Sequence, residues 1–176
     1  MKKNEIVQLL EDKHNAIFEF LEEHPNDQWN YHPEGKWTTG QHIVHLTQSS
    51  KALNKGLRIP KLMLQYKFGK ANRVPRSYDE VISRYQEKLS MLEGDVVSPL
   101  SKNMPLTPPD SKAQIIDDLN VEKEKLISIL NKLSDKKLDK YLLPHPLMGR
   151  MILREIMMWT AYHTEHHHKI LSSKYT

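Results

Sequence analysis

With 176 residues, 27% of them charged and 38% hydrophobic, the chain has the size and make-up of one folded domain over residues 1–176 and not of a disordered segment. No apolar run approaches the roughly 20 residues that cross a bilayer, the amino-terminal stretch lacks the apolar centre of a signal peptide, and there is no cysteine. A cytoplasmic protein without disulfides or thiolate ligands is therefore expected, and its net charge of +4 is local: residues 51–76 hold eight Lys/Arg and no Asp/Glu, against 18 basic and 22 acidic residues elsewhere.

Apolar residues at Ile6, Leu9, Leu10, Ile17, Phe20 and Leu21 recur at helical spacing, which predicts a helix over residues 3–23. Pro25, Pro33 and Gly35 interrupt the next stretch, where Trp29 and Trp37 are expected to pack a long loop onto the body of the protein. Thr38 followed by Gln41 has capping-box spacing and opens a second helix to about residue 55. The basic stretch contains a short apolar run, Leu62 to Leu64, and turns irregular through Gly69 and Pro75. Ser77 is placed to cap a third helix bearing Val81, Ile82, Tyr85 and Leu89 on one side. Four prolines between residues 94 and 110 mark a long connection, and Asp110 or Ser111 caps a fourth helix to about residue 133. "LPHPLMGR" (143–150) reads as a loop with His145 as a turn residue, and the last helix runs from about 151 to 172. No period-two pattern persists, so the fold class is all-α: four helices of bundle length, long connections and one additional helix.

The last helix carries His163, His166, His167 and His168 within six positions. At 100° per residue, His163 falls in the middle of a stripe made by Ile152, Ile156, Trp159 and Ile170. His167 lies about 40° to one side of it, His166 about 60° to the other, and His168 about 140° away on the solvent side. Histidines three or four apart stack on one face and can converge on one ion, so His163 pairs with either His166 or His167. In the second helix His45 is centred on a small polar face with Gln41, Ser49 and Ala52, and His42 lies about 60° off. Such a face suits solvent, or a wet cavity in which helical bundles build metal sites. A single inward histidine is more often a hydrogen-bonded core residue; two in one apolar stripe, costly to bury unpaired, favour a metal. Met157 and Met158 read as core or subunit-contact residues, and Tyr162, about 100° off the buried face, suits a contact between two copies.

"GKWTTGQHIVHL" resembles the second-helix motif of the DinB-like superfamily, and "HPLMGRMILREIMMWTAYHTEHHHKIL" resembles its last helix with the preceding loop. The resemblance implies a bacterial four-helix bundle binding one metal through His45, His163 and His167, with zinc or nickel expected. Relatives implied by it include S-transferases that use bacillithiol or mycothiol, so an external thiol cosubstrate is one expectation and metal-dependent hydrolysis of a small molecule is the other. A three-histidine site leaves a divalent ion an open position and lowers the pKa of a bound water or thiol. Glu155 is a weak candidate for a general base, Glu165 should point outward, and His42 and Gln41 are candidate partners of the ligands. The competing expectations are a non-catalytic protein pinned by its metal, or an anionic-surface or nucleic-acid binder through residues 51–76, with Tyr66 and Phe68 among the lysines. Against the latter stands the plain alternative of a solvated basic loop. A homodimer is expected.

Overall fold

The computed structural model describes residues 1–92 and 104–175, so most of the connection expected at 94–110 lies outside the described residues. The elements run α1 (Lys3–Glu23), α2 (Thr39–Arg58), α3 (Lys61–Phe68), α4 (Tyr78–Ser90), α5 (Lys112–Asn131), α6 (Asp135–Lys140), β1 (Leu142–His145), β2 (Gly149–Ile152) and α7 (Leu153–Lys174). The four long helices α1, α2, α5 and α7 form a bundle in which α7 packs on α1 and α2, and α5 packs on the same two from the other side. The sequence neighbours α1 and α2 thus sit diagonally across the bundle, and α4 lies outside it against α7. Among the described residues no helix is long and apolar enough to cross a membrane.

The all-α expectation holds apart from one local element. Residues 142–152, read as a loop running into the last helix, form an antiparallel hairpin that pairs Leu142 with Ile152 and His145 with Gly149. Each strand has four residues and Pro144 interrupts β1, so no alternation is long enough to register. The turn closes through Gly149 at φ +71°, a left-handed conformation that glycine adopts without strain. The apolar run after Pro60 forms α3, which buries Leu64 and leaves Leu62 and Met63 to solvent. Helix α6 is a further short element that the sequence pattern did not announce.

The core divides into two apolar clusters. One gathers Ile6 and Leu10 of α1, Leu53 and Leu57 of α2, and Leu153, Ile156, Met157, Met158 and Trp159 of α7. The other gathers Ile17 and Leu21 of α1, Ile43 and Leu46 of α2, and Leu171 of α7. Between them on every long helix lie buried polar residues: His14, Ser50, Glu122, and the run His163, Thr164 and His167. A polar layer therefore crosses the bundle at mid-height. Burying it unsatisfied would cost several kcal/mol, so each group in it needs a partner. His14 has two, the Leu10 carbonyl at 2.7 Å and the Thr164 hydroxyl at 3.4 Å. It is a core histidine whose nitrogens are both spent.

Candidate metal centre

Helix α2 begins with the expected reciprocal cap. The Gln41 amide N–H donates to Thr38 Oγ1 at 3.2 Å and the Thr38 N–H donates to Gln41 Oε1 at 3.0 Å. A cap of this kind contributes about 1 kcal/mol and fixes the first turns from which His42 and His45 project. Gln41 is thereby spent on the cap and on the Pro105 carbonyl, and is no partner of a ligand histidine. Gly40, in the same turn, is required by close packing: a Cβ there would lie 2.5 Å from Thr107 Oγ1 and 2.9 Å from the Trp29 ring. Trp29 fills that space fully buried, as expected for a residue holding the loop onto the bundle.

The structure brings His45, His163 and His167 together, all buried. Nε2 of His163 is the hub, 3.1 Å from Nε2 of His45 and 3.1 Å from Nε2 of His167. Two imidazole nitrogens on one zinc-sized ion, each about 2.0–2.1 Å from it, stand roughly 3.3 Å apart at a tetrahedral angle. His166 is excluded from the group. It is half-buried and turned towards the rings of Tyr85 and Tyr162. His168 is not fully solvated, because its ring lies 5.6 Å from that of Phe20.

The protonation pattern follows from one fixed end. The Tyr175 hydroxyl lies 2.7 Å from the Trp37 carbonyl oxygen, which can only accept, so Tyr175 donates there. Its oxygen then accepts from Nε2–H of His42, 3.2 Å away. A neutral His42 bears its lone pair on Nδ1, which lies 2.8 Å from Nδ1 of His167 and accepts from it. His167 is left with an unprotonated Nε2 facing His163. With no proton on that atom, at most one of the two contacts at His163 Nε2 can be a hydrogen bond. A single divalent cation satisfies all three lone pairs, and the donor set fits one on that ground. Burial supports the neutral forms: it pushes His45 and His42 down to about 4, and His163 and His167 well below the ordinary histidine value.

Two tryptophans enclose the cluster. Trp159 stacks on His163 at 4.6 Å, and Trp37 lies 5.0 Å from the His45 ring and parallel to that of His167. Trp37 does more than pack a loop, and a sequence signal for this exists. It precedes the cap residue Thr38 and contacts His42 four residues into the helix, the spacing of a hydrophobic staple. Tyr175, beyond the last helix, has no comparable signal. Its hydroxyl holds the far end of the relay, so Tyr175→Phe is expected to weaken zinc affinity roughly tenfold with the fold retained, measured by competition with a chromogenic chelator.

Three other expectations change. Glu155 is no general base. Its carboxylate is fully buried and bound by the guanidinium of Arg73, by the Arg76 amide at 2.8 Å and by the Ile152 amide at 3.3 Å. Glu165 is half-buried and pairs with Lys13 and Lys169. Tyr162 is buried against α4, where Gln86 Nε2 donates to its hydroxyl at 2.9 Å, and does not offer an exposed contact face. Met157 and Met158 lie in the core as one of their two readings expected.

Beside the histidines opens a cavity of about 450 Å³, whose wall includes His45, His163, Trp159, Tyr85 and His145. His145 keeps the turn role expected of it, with Nδ1 accepting from the amides of Leu147 and Met148 at 3.1 and 3.0 Å, and also joins this wall.

A family model described as the DinB superfamily matches residues 9–171. The chain belongs to the DinB superfamily. Among solved structures it is similar to a Bacillus subtilis protein, YfiT, described as a probable metal-dependent hydrolase with an unusual four-helix bundle topology. The TM-score is 0.61 at 20% identity, covering 97% of this chain and 83% of that one, a likeness of fold. No curated protein matches the chain.

Proposed function

We propose that this DinB-superfamily chain is a metal-dependent hydrolase in which His45, His163 and His167 hold one divalent ion, zinc or nickel. The observation that carries the reading is the convergence of three buried, neutral imidazoles on one point at the wall of a cavity. The description of YfiT supports the same class. A three-nitrogen site would leave the ion a net positive charge and an open position, from which it lowers the pKa of a coordinated water or thiol towards neutrality.

The chain's own groups have separable tasks. The Tyr175–His42 relay sets the tautomer of His167, the two tryptophans exclude bulk water, and the cavity receives the substrate. A second reading, transfer to an external thiol, is favoured by the cavity's volume, which leaves room beside a small electrophile for a cosubstrate. The absence of cysteine requires that any such thiol come from outside.

The test is to strip the protein, reload it with zinc or nickel, and assay neutral esters and amides with and without low-molecular-weight thiols. Hydrolysis that needs the metal but no thiol is expected. Turnover only with a thiol would replace the hydrolase reading by the transferase one, and no turnover across the panel would argue for a non-catalytic metal protein.

A further inference from the structure

The cavity's lining says what kind of molecule enters it. Among the described residues, no Lys, Arg, Asp or Glu lines it; its walls are aliphatic and aromatic, from Leu53 and Ile59 to Leu143 and Ile156. Away from the metal-binding end, a charged group placed there would lose its hydration without a counter-charge, at a cost of several kcal/mol. The volume of about 450 Å³ is that of a small-molecule site. The basic stretch 51–76 does not supply the missing charge to this wall: from it only Ala52, Leu53, Gly56, Ile59 and Phe68 reach the cavity.

One polar group in this wall has a fixed direction of bonding. Nδ1 of His145 accepts from two backbone amides, which can only donate, so a neutral ring carries its proton on Nε2. His145 is nine-tenths buried, and no described residue accepts from that Nε2–H. That nitrogen is not fully enclosed and its residue lines the cavity, so a ligand oxygen can reach it as an acceptor. Trp159 links the donor to the metal-binding face: the His145 ring lies 4.2 Å from it, and it stacks on His163 at 4.6 Å.

We propose that the cavity is the substrate pocket for an uncharged molecule with an apolar body, its reacting group at His45 and His163 and an acceptor oxygen, such as a carbonyl, held by Nε2–H of His145. His145 is a positioning residue in this arrangement, acting on the far end of the substrate. The inference rests on the metal-enzyme reading for the identity of the reacting end, but the pocket's preference is a property of the chain itself.

The test uses an isosteric series of probes on the metal-free protein, followed by calorimetry or ligand-observed NMR: 4-phenylbutyramide, 4-phenylbutyrate, 4-phenylbutylammonium and butylbenzene. The amide is expected to bind at least about tenfold more tightly than either ion. In His145→Asn the side-chain oxygen replaces Nδ1 as acceptor for the two turn amides, so the hairpin is kept and only the inward donor is lost. Amide affinity should fall roughly three- to tenfold while butylbenzene binding stays unchanged. Ala52→Trp, at an exposed position on the cavity's edge, should abolish binding of all four probes. Tighter binding of the butyrate than of the amide, or unchanged amide affinity in His145→Asn, would overturn the proposal. Should His145→Asn fail to fold, the charge series on the parent still decides. Zinc titration of the same samples separates the two readings: amide binding without zinc binding supports the pocket and counts against the metal enzyme alone.

Discussion

Replacing His163 by alanine is expected to abolish stoichiometric metal binding while leaving the bundle folded. His163 is the hub of the triad, 3.1 Å from each of the other two Nε2 atoms, and no other histidine is placed to substitute. His166 faces tyrosine rings, and His14 is bound through both nitrogens. Structural zinc sites with four ligands bind with about 10–16 kcal/mol, so one ligand is worth roughly two to three orders of magnitude in affinity. His45→Ala should show a loss of the same order. His168→Ala, on the far side of the same helix, should show none. Metal content by mass spectrometry, with chelator competition for affinity, reads all three. An unchanged ion per chain in His163→Ala would remove the site as assigned.

The second large effect lies away from the histidines. Arg73→Ala combined with Arg76→Ala is expected to destabilise the protein by about 3 kcal/mol, a fall in Tm of roughly 6–12 °C. The reason is the carboxylate of Glu155, which has no exposed surface, at the third position of α7. Both arginines lie on the connection between α3 and α4, with side chains about one-third exposed. Removing them strands a buried negative charge, whereas removing the charge itself does not. Glu155→Gln should therefore cost less than the arginine pair, and adding it to the double variant should restore part of the loss.

The pH dependence of this clamp has a definite sign. Burial alone would raise the Glu155 pKa, but the Arg73 hydrogen bonds, the Arg76 amide and the two positive charges outweigh it, and the net shift is downward. A carboxyl with a depressed folded pKa adds stability above its unfolded value, near 4.5, and loses it as pH falls through the folded value. The parent should thus lose an increment of stability in acid below about pH 4.5 that Glu155→Gln lacks. Denaturant midpoints at pH 7 and in acid measure it. Equal pH slopes for parent and Glu155→Gln would show that the clamp does not carry the charge described.

Most of the bundle is legible in the sequence because its helices are bounded by local chemistry. The Thr38–Gln41 cap forms as its spacing implies, and Ser77 caps α4 as expected, with Glu80 as a reciprocal partner that the structure adds. The inward direction of His163 follows from helical phase, whereas the small polar face of His45 suits solvent as well as a cavity. What phase does not decide is the choice between His166 and His167. That choice depends on the neighbours: two tyrosines beside one, the His42–Tyr175 relay beside the other. The hairpin escaped because its strands are short and hold a proline. Helical phase makes Glu155 only a weak candidate base, about 80° round the helix from His163 and two turns away. Its arginine partners come from a connection more than 75 residues earlier, a pairing that no local pattern carries. The basicity of residues 51–76 is spent in part on this same buried carboxylate, while Tyr66 stays exposed and Phe68 turns to the cavity.

The proposed function stands on three imidazoles from two helices sharing one cation. Anomalous diffraction at the zinc edge, on crystals of the zinc-loaded protein, tests it most directly. One peak per chain is expected within bonding distance of Nε2 of His45, His163 and His167, with His42 hydrogen-bonded behind His167. A peak held elsewhere, with those three rings bonded only to one another, would contradict it.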